Sequence, residues 1–211
     1  NAERTIWVLP RSGRKVEVLA MNPSGAETAR YEAYPAFFRG GGSVASGDVD
    51  GDGQKEVIVG AGAGGGPQVR VFTASGKVLG QFFAYDRSFR GGISVASGDI
   101  DNQGADEIIT AAVVGRQLII RAFNLKGELK LGWVLKPSLG GQIGAGAPSV
   151  AVGDVDADGQ VEIVLALGSG ALPEVQIFDK LGKKESSFLA YNKLFRGGVT
   201  VAIGDVDGDG V

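Results

Sequence analysis

The 211-residue sequence predicts an all-β protein. Each unit of a long repeat contains four short runs rich in Val, Ile, Phe and Tyr, separated by glycine-rich or aspartate-rich turns. No segment has a sustained 3.6-residue hydrophobic period, which argues against helices. Repeated four-stranded units favour a β-propeller, in which each blade is a small antiparallel sheet packed on its neighbours. A parallel β-helix is the competing repeat architecture, but its coils are usually shorter than this repeat.

An aspartate-rich segment marks the repeat four times. It reads GDVDGDG at 47–53, GDIDNQG at 98–104, GDVDADG at 153–159 and GDVDGDG at 204–210. The leading aspartates are 51, 55 and 51 residues apart. We therefore interpret the chain as a single propeller domain, 1–211, with about four repeat equivalents. Its predicted parts are a partial repeat (1–36), three full repeats (37–87, 88–141 and 142–194) and a second partial repeat (195–211).

The two partial repeats are complementary. Residues 1–36 align with the second unit at a shift of 51 and predict three strands, whereas 195–211 predicts the missing first strand. Either four blades close with the two termini sharing one blade, or the sequence is an arc of a larger ring. We expect a fragment of a larger protein.

The composition excludes several classes of site. The sequence contains no cysteine and no histidine, so it has no disulfides, cysteine–zinc sites, catalytic triads with histidine or HExxH zinc sites. We therefore expect a protein without catalytic activity, although a propeller enzyme such as a polysaccharide lyase that uses Arg or Lys with calcium stays open. No run of 18 apolar residues is present, so no transmembrane helix is expected.

The D-x-D-x-D-G pattern places three carboxylates at alternating positions before a sharp turn, which suits the oxygen ligands of Ca²⁺. An acidic residue follows at loop position 9, where the next strand begins, and the carbonyl of position 7 is a further candidate ligand. The first loop offers Asp48, Asp50, Asp52, Gln54 and Glu56; the second Asp99, Asp101, Gln103, Ala105 and Glu107; the third Asp154, Asp156, Asp158, Gln160 and Glu162; the fourth Asp205, Asp207 and Asp209.

These loops are not EF-hands, because position 12 is not acidic and the flanking segments are predicted strands. An Asp-Gly turn alone is a good hairpin turn, but that does not account for the repeated carboxylates. Gln103 replaces a carboxylate, so the second loop is expected to be the weakest complete site. Fourteen of the 24 acidic residues lie at these loop positions, so three bound Ca²⁺ ions would change the formal net charge from −3 to +3.

The segment FRGGISVASGDIDNQGADEIITAA and its counterparts resemble FG-GAP repeats, the units of the integrin α-subunit propeller and of related VCBS repeats in bacterial surface proteins. Phe38, Phe89 and Phe195 match the start of the motif, with an arginine before the glycine, and the resemblance covers essentially the whole chain. It implies a propeller, calcium in the loop between the first two strands of each blade, and adhesive or ligand-binding work outside the cell. The junction at 133–148 departs from the pattern because it lacks Phe-Arg-Gly-Gly.

The predicted topology places the aspartate loops on one face and the blade-to-blade connections on the other, where arginines concentrate. Three arginines of the repeated element and one tryptophan are candidate ligand-binding residues: Arg39, Arg90, Arg196 and Trp133. The repetition favours an architectural role for Tyr34, Tyr85, Tyr191 and the Phe and Gly positions, and a binding site is expected near 133–148. The predicted function is calcium-stabilised adhesion to a protein or glycan at the cell surface; a lectin on the same scaffold is the alternative. Neither nucleic acid nor membrane insertion is expected.

Overall fold

A computed structural model describes residues 5–135, 143–144 and 146–204, and the described chain is all-β, as the sequence predicts. Its strands are β1 (Ile6–Val8), β2 (Glu17–Met21), β3 (Glu27–Glu32), β4 (Gly42–Gly47), β5 (Glu56–Ala61), β6 (Gln68–Phe72), β7 (Val78–Phe83), β8 (Ser94–Gly98), β9 (Glu107–Val114), β10 (Gln117–Phe123), β11 (Leu129–Leu135), β12 (Ser149–Gly153), β13 (Glu162–Ala166), β14 (Glu174–Phe178) and β15 (Lys184–Leu189).

The strands form four antiparallel sheets in chain order. Sheet I contains β1–β3, sheet II β4–β7, sheet III β8–β11 and sheet IV β12–β15. Every strand pairs only with its neighbours in sequence, so each sheet is a meander of one repeat. Sheet I has three strands, equivalent to the second, third and fourth strands of the other sheets.

A repeated turn closes the hairpin between the last two strands of each sheet. Its first residue, Asn22, Thr73, Asn124 or Asp179, accepts backbone N–H groups from the turn through its side-chain oxygen. The turn glycine has positive φ, a conformation that glycine adopts without a steric penalty. A one-residue register shift precedes the turn in all four sheets, at Ala20/Met21, Val71/Phe72, Ala122/Phe123 and Ile177/Phe178.

The first strands of sheets II, III and IV lie side by side, and small residues make this close approach possible. A Cβ added at Gly47 would contact Ser97 of the next sheet, one at Gly98 would contact Val152, and one at Gly153 would contact Ile203. Serine hydroxyls link the same strands: Ser43 Oγ accepts the N–H of Val95, and Ser149 Oγ accepts the N–H of Val201. The recurring S-V-A-S pattern is therefore explained by contact between neighbouring sheets.

Apolar side chains fill the spaces between successive sheets. The cluster between sheets I and II includes Val16, Val18, Val57 and Phe72, and the clusters between II and III and between III and IV have the same composition of aliphatic and aromatic residues. Strands β5, β9 and β13 are buried on both faces along most of their length, whereas β2 of sheet I alternates between buried and half-buried residues. At least half of the residues in the last strand of each sheet are exposed. Stacking sheets on both faces is the arrangement expected of propeller blades.

Two buried tyrosines link sheet I to sheet II and sheet II to sheet III. The Tyr34 hydroxyl donates to the carbonyls of Val59 and Gln68 in sheet II, at 2.9 and 2.8 Å. The equivalent Tyr85 hydroxyl donates to the carbonyls of Thr110 and Ile119 in sheet III, at 3.1 and 2.9 Å. Burial raises the pKa of both phenols. A hydrogen-bonded hydroxyl at this depth specifies how one sheet is seated on the next.

Candidate metal centres and binding face

The three aspartate loops that the structure describes connect the first and second strands of sheets II, III and IV. Each contains a group of three carboxylates whose oxygen atoms lie within 4.8 Å of one another: Asp48, Asp50 and Glu56; Asp99, Asp101 and Glu107; Asp154, Asp156 and Glu162. The aspartates belong to the loop, and the glutamate is the first residue of the following strand. The loop geometry therefore brings together the first, third and ninth positions of the sequence motif.

Backbone N–H groups shape the loop around its first aspartate. In the first loop, Asp48 accepts the N–H groups of Gly51, Asp52 and Gly53 at 2.8–3.1 Å. Asp99 and Asp154 make equivalent hydrogen bonds in the other two loops. The chain reverses through residues with positive φ, and this explains why glycines recur in the motif.

Two loops place a residue with a Cβ where the first loop has Gly51. Asn102 and Ala157 have φ values of 57° and 64° at this position. They are the non-glycine residues with positive φ in the part of the chain that the structure describes. An L-residue pays roughly 1–2 kcal/mol for this conformation, which is least costly for Asn. The second and third aspartate loops therefore keep the conformation of the first loop although Asn102 and Ala157 disfavour positive φ.

The strand glutamates are the buried members of the clusters. Glu56 accepts the N–H of Val49 at 3.1 Å, and Glu107 and Glu162 make the same hydrogen bond to Ile100 and Val155. Burial raises the pKa of all three glutamates, and the neighbouring aspartates raise it further because like charges oppose ionisation. A divalent cation would reduce this repulsion, and the donor set is all oxygen, so the residues fit Ca²⁺.

The remaining predicted ligands have different positions. Asp52 and Asp158 lie outside the clusters, and their carboxylates accept the N–H groups of Gln54 and Gln160. The carbonyls of Gln54, Ala105 and Gln160 and the side chain of Gln103 stay predictions as ligands. The fourth loop, with Asp205, Asp207 and Asp209, lies outside the described residues.

Charged residues on the last strand distinguish the three loops, and the sequence motif gave no indication of them. Lys130 Nζ lies 3.9 Å from Asp101 Oδ2 in the second loop. The register of the third and fourth strands shows that the equivalent residues are Leu79 in sheet II and Glu185 in sheet IV. Glu185 raises the pKa of Glu162 in the third loop through its negative charge. An alignment of the repeats shows that Lys130, Leu79 and Glu185 differ in charge, but only the strand register shows that this position lies near the aspartate loop.

Asp106 connects two neighbouring loops. Its N–H donates to the carbonyl of Asp48 at 2.7 Å, and its side chain lies against Gly47. Burial raises the pKa of Asp106, and the charge of Lys55 opposes that rise. The Asp106 carboxylate therefore lies between the first and second loops.

The conformation of the Phe-Arg-Gly-Gly element depends on the phenylalanine ring and on backbone contacts. Each phenylalanine ring covers the first glycine, so a Cβ at Gly40, Gly91 or Gly197 would collide with it. The second glycine has positive φ and contacts the loop between the second and third strands. The arginine carbonyls accept N–H groups from those loops, at Gly13, Gly64 and Gly170.

The arginine side chains of this element are less engaged. The guanidinium groups of Arg90 and Arg196 donate to carbonyls of their own segment, at 2.5–2.8 Å. Seven arginines lie in the loops between the second and third strands and in the sheet-to-sheet connections, and they form no salt bridge with any residue that the structure describes. They are Arg11, Arg14, Arg39, Arg87, Arg90, Arg116 and Arg196. We call this surface the arginine face; it is opposite the aspartate loops.

Trp133 belongs to a repeated contact between sheets. Its ring lies against Gly182 in the outer turn of sheet IV, just as Tyr31 lies against Gly76 and Phe82 against Gly127. A Cβ at any of these glycines would collide with the ring. Part of the predicted binding segment, 136–142 and 145, lies outside the described residues.

A groove beside the first sheet-to-sheet connection contains exposed aromatic residues. It has a volume of about 410 Å³ and is lined by Phe37, Phe38, Phe83, Arg87 and Arg90 among others. Phe37 is 85% exposed, and the Arg87 guanidinium lies 4.9 Å from the centre of the Phe83 ring. Ser88 and Leu194 occupy the positions equivalent to Phe37 in two later repeats, so the exposed phenylalanine is not repeated there.

Comparisons with known proteins agree with this architecture. A search of the curated proteins gave no match. A crystal structure of a protein of unknown function from Bacteroides caccae is similar over 90% of this chain and 59% of that chain, with 14% identity and a TM-score of 0.55. The structure of the Dos1 propeller is similar over 85% of this chain and 44% of that chain, with 13% identity and a TM-score of 0.51. The chain thus spans 59% and 44% of the lengths of these two structures.

The motif analysis and the family comparison identify the same repeat. The described part of the chain contains no helix with the length and apolarity needed to cross a bilayer. Residues 40–79 match the family model of the FG-GAP repeat. These residues are therefore an FG-GAP repeat within a propeller-like, all-β chain, as the sequence motifs predict.

Proposed function

We propose that this chain is a calcium-stabilised, non-catalytic binding module of a secreted or cell-surface protein. The observation that carries the calcium assignment is the recurrence of one oxygen cluster, from the same three motif positions, in three successive sheets. Asp48, Asp50 and Glu56 and their equivalents would hold the ion. Its charge would offset the repulsion among the carboxylates and fix each strand 1–2 loop, so its role is structural.

Calcium removal tests this assignment. Extracellular calcium modules bind with dissociation constants of roughly 10⁻⁴–10⁻³ M, so each site is expected to add on the order of 1 kcal/mol of stability at millimolar calcium. Chelation should lower the melting temperature by several degrees, measured by differential scanning calorimetry. Glu162→Gln should reduce the calcium-dependent part of this shift, whereas Glu128→Gln, outside the clusters, should not. Identical melting curves with calcium and with chelator would contradict structural calcium.

The second loop is predicted to be the weakest site. Gln103→Asp adds a carboxylate, and Lys130→Met removes an ammonium group 3.9 Å from Asp101. Each change is expected to tighten calcium binding a few-fold at one site, because partly exposed charge pairs contribute about 0.2–1 kcal/mol. Isothermal titration of the variants against wild type measures this, with Lys126→Met as the charge-matched control. Superimposable titrations for wild type and Lys130→Met would show that the lysine does not weaken the second site.

The arginine face supports a binding role directed at an anionic partner. Its seven arginines have no carboxylate partner among the described residues, and guanidinium groups recognise carboxylates and sulfates through paired hydrogen bonds. Loops held on a rigid scaffold are also where binding residues concentrate. The absence of histidine and cysteine from the sequence favours binding over hydrolytic catalysis.

The groove at Phe37 favours a carbohydrate-binding variant of this function. Exposed phenylalanine rings beside Arg87 and Arg90 suit an acidic sugar, which offers an apolar face for stacking and a carboxylate for the guanidinium groups. An array of neutral glycans, uronate-containing glycans and acidic peptides distinguishes the two candidates. Loss of binding in Phe37→Ala and Arg87→Gln together would place the ligand in this groove; retention of binding would place it elsewhere.

A further inference from the structure

The glycine run at 64–66 lies in the loop between β5 and β6, and the corresponding loop of sheet IV shows what these glycines contribute. Gly64 and Gly170 both have positive φ and donate their N–H groups to an arginine carbonyl of the following Phe-Arg-Gly-Gly element. In both loops the next residue donates to the carbonyl three positions earlier. The next two positions are 65–66 in one loop and 171–172 in the other, and sheet IV has Ala-Leu there instead of Gly-Gly. This loop conformation therefore does not require glycine at 65 and 66.

The two glycines leave room beside aromatic rings. They line the groove at Phe37, Phe38 and Phe83 described above, which we call the phenylalanine groove. A Cβ at Gly66 would lie 3.3 Å from the Phe83 ring, a contact that a small rotation of the ring relieves, and Gly66 does not have positive φ. Leucine, which sheet IV has at 172, would therefore be compatible with the backbone and would fill part of the groove.

A second cavity adjoins the phenylalanine groove. It has a volume of about 580 Å³ and is lined by Gln68, Gln81, Phe83, Asp86 and Arg87, among others, and we call it the amide cavity. Gln68, Phe83 and Arg87 line both cavities. The Arg87 guanidinium lies 4.9 Å from the centre of the Phe83 ring, so this pair marks the place where the two cavities meet. A linear ligand of several linked units can therefore occupy both.

The two cavities differ in charge. The phenylalanine groove is lined by the guanidinium groups of Arg87 and Arg90, and no acidic residue is among its described lining residues. The amide cavity contains the Asp86 carboxylate and two side-chain amides, and the Gln68 Nε2 donates to the Gln81 Oε1 at 3.4 Å. Amides and a carboxylate are suitable partners for hydroxyl groups. The first cavity thus suits an anionic group and the second an uncharged, hydroxyl-rich group.

Asp86 disfavours a second anion in the amide cavity. Its carboxylate accepts the N–H and the hydroxyl of Ser88, and these hydrogen bonds lower the pKa of Asp86, so the group is ionised at neutral pH. It forms no salt bridge within the part of the chain that the structure describes. Another carboxylate bound beside it would be repelled, because like charges at short range oppose each other.

We propose that the two cavities together bind one linear glycan in which an acidic sugar alternates with an uncharged sugar. This inference rests on the carbohydrate-binding variant of the proposed function. The carboxylate of the acidic sugar faces Arg87 and Arg90 in the phenylalanine groove. The uncharged sugar occupies the amide cavity, where its hydroxyls donate to Asp86 and exchange hydrogen bonds with Gln68 and Gln81. A chain of acidic sugars alone suits the pair of cavities less well.

Three hexasaccharides test the composition of the ligand: alternating glucuronate and N-acetylglucosamine, glucuronate alone, and N-acetylglucosamine alone. Isothermal titration in millimolar calcium is expected to show that the alternating chain binds at least about fivefold more tightly than the glucuronate chain, and that the neutral chain does not bind. Equal or tighter binding of the glucuronate or the neutral chain would overturn the proposal and leave a carbohydrate-binding function intact. Binding of a glutamate-rich peptide with no binding of any hexasaccharide would overturn both.

Asp86→Asn tests the charge of the amide cavity. Asn192 occupies the equivalent position and accepts the N–H of Leu194, so asparagine keeps this turn. We expect the preference for the alternating chain over the glucuronate chain to fall by about two- to fivefold, because a partly exposed repulsion is removed. Asp179→Asn removes the same charge from the outer turn of sheet IV, where other repeats have asparagine, and should leave the preference unchanged. An unchanged preference in Asp86→Asn would overturn the proposal.

Gly66→Leu tests the location of the glycan with the residue that sheet IV already has at this position. Both acidic chains are expected to bind at least about tenfold more weakly, while the melting temperature in calcium stays within a few degrees of wild type. Binding with full affinity in a folded Gly66→Leu protein would place the glycan outside the phenylalanine groove and overturn the proposal. If this variant does not fold, the comparison of Asp86→Asn with Asp179→Asn decides.

Discussion

Replacing Tyr85 by alanine is expected to lower the free energy of unfolding by about 3–5 kcal/mol, the range for removing a large aromatic side chain from a core. The ring is buried between sheets II and III, and the hydroxyl donates to the carbonyls of Thr110 and Ile119. The variant loses both the packing and the polar contact that seats one sheet on the next. Urea denaturation in saturating calcium, followed by tryptophan fluorescence, measures the change.

Two further variants separate the contributions at this position. Tyr85→Phe keeps the ring and removes only the hydroxyl, so a loss of about 1–2 kcal/mol is expected. Phe37→Ala removes an aromatic ring that is 85% exposed and is expected to change stability by less than about 0.5 kcal/mol. If Tyr85→Ala were as stable as Phe37→Ala, the tyrosine would not fasten the two sheets.

The elements of one repeat could be predicted from the sequence because their determinants are local. Strand runs, the outer turn and the aspartate loop each lie within about ten residues, and the 51-residue period supplies independent copies that agree. The cluster of Asp48, Asp50 and Glu56 follows from a short loop joined to a strand, so its first, third and ninth positions converge. For the same reason the FG-GAP resemblance could be recognised from short motifs.

Features that depend on contact between sheets were not predictable in this way. The Trp133 ring lies against Gly182, a residue 49 positions later in another sheet. Its role in ligand binding stays a prediction. Lys130 reaches the second loop only because of the hairpin register and the repeated one-residue shift before the outer turn. Tyr191 has the same sequence context as Tyr34 and Tyr85, and its exposure depends entirely on which surface follows sheet IV. The repeat period identifies equivalent residues, but it does not show which of them are covered by a neighbouring sheet.

Gly41→Ala is expected to destabilise the chain by more than about 3 kcal/mol, because two costs combine at this glycine. Its φ of +70° costs an L-residue roughly 1–2 kcal/mol. A Cβ would also overlap the carbonyl of Arg11, and this obstacle is backbone, which cannot rotate away as a side chain can. The loop at Arg11 and the Phe-Arg-Gly-Gly element would have to separate, which opens the junction between sheets I and II.

Gly115→Ala is the matched control, since Gly115 has φ of +64° but nothing within 4 Å of the added Cβ. Only the conformational cost applies there, so a loss of about 1–2 kcal/mol is expected, and the difference between the two variants measures the close approach. Thermal and urea unfolding of both proteins in saturating calcium give the comparison. Equal losses would mean that the second glycine of the element is needed only for its backbone conformation. A larger loss at Gly41 would mean that the second glycine is also needed for the close contact between this element and the backbone at Arg11, and hence for the packing of sheet I on sheet II.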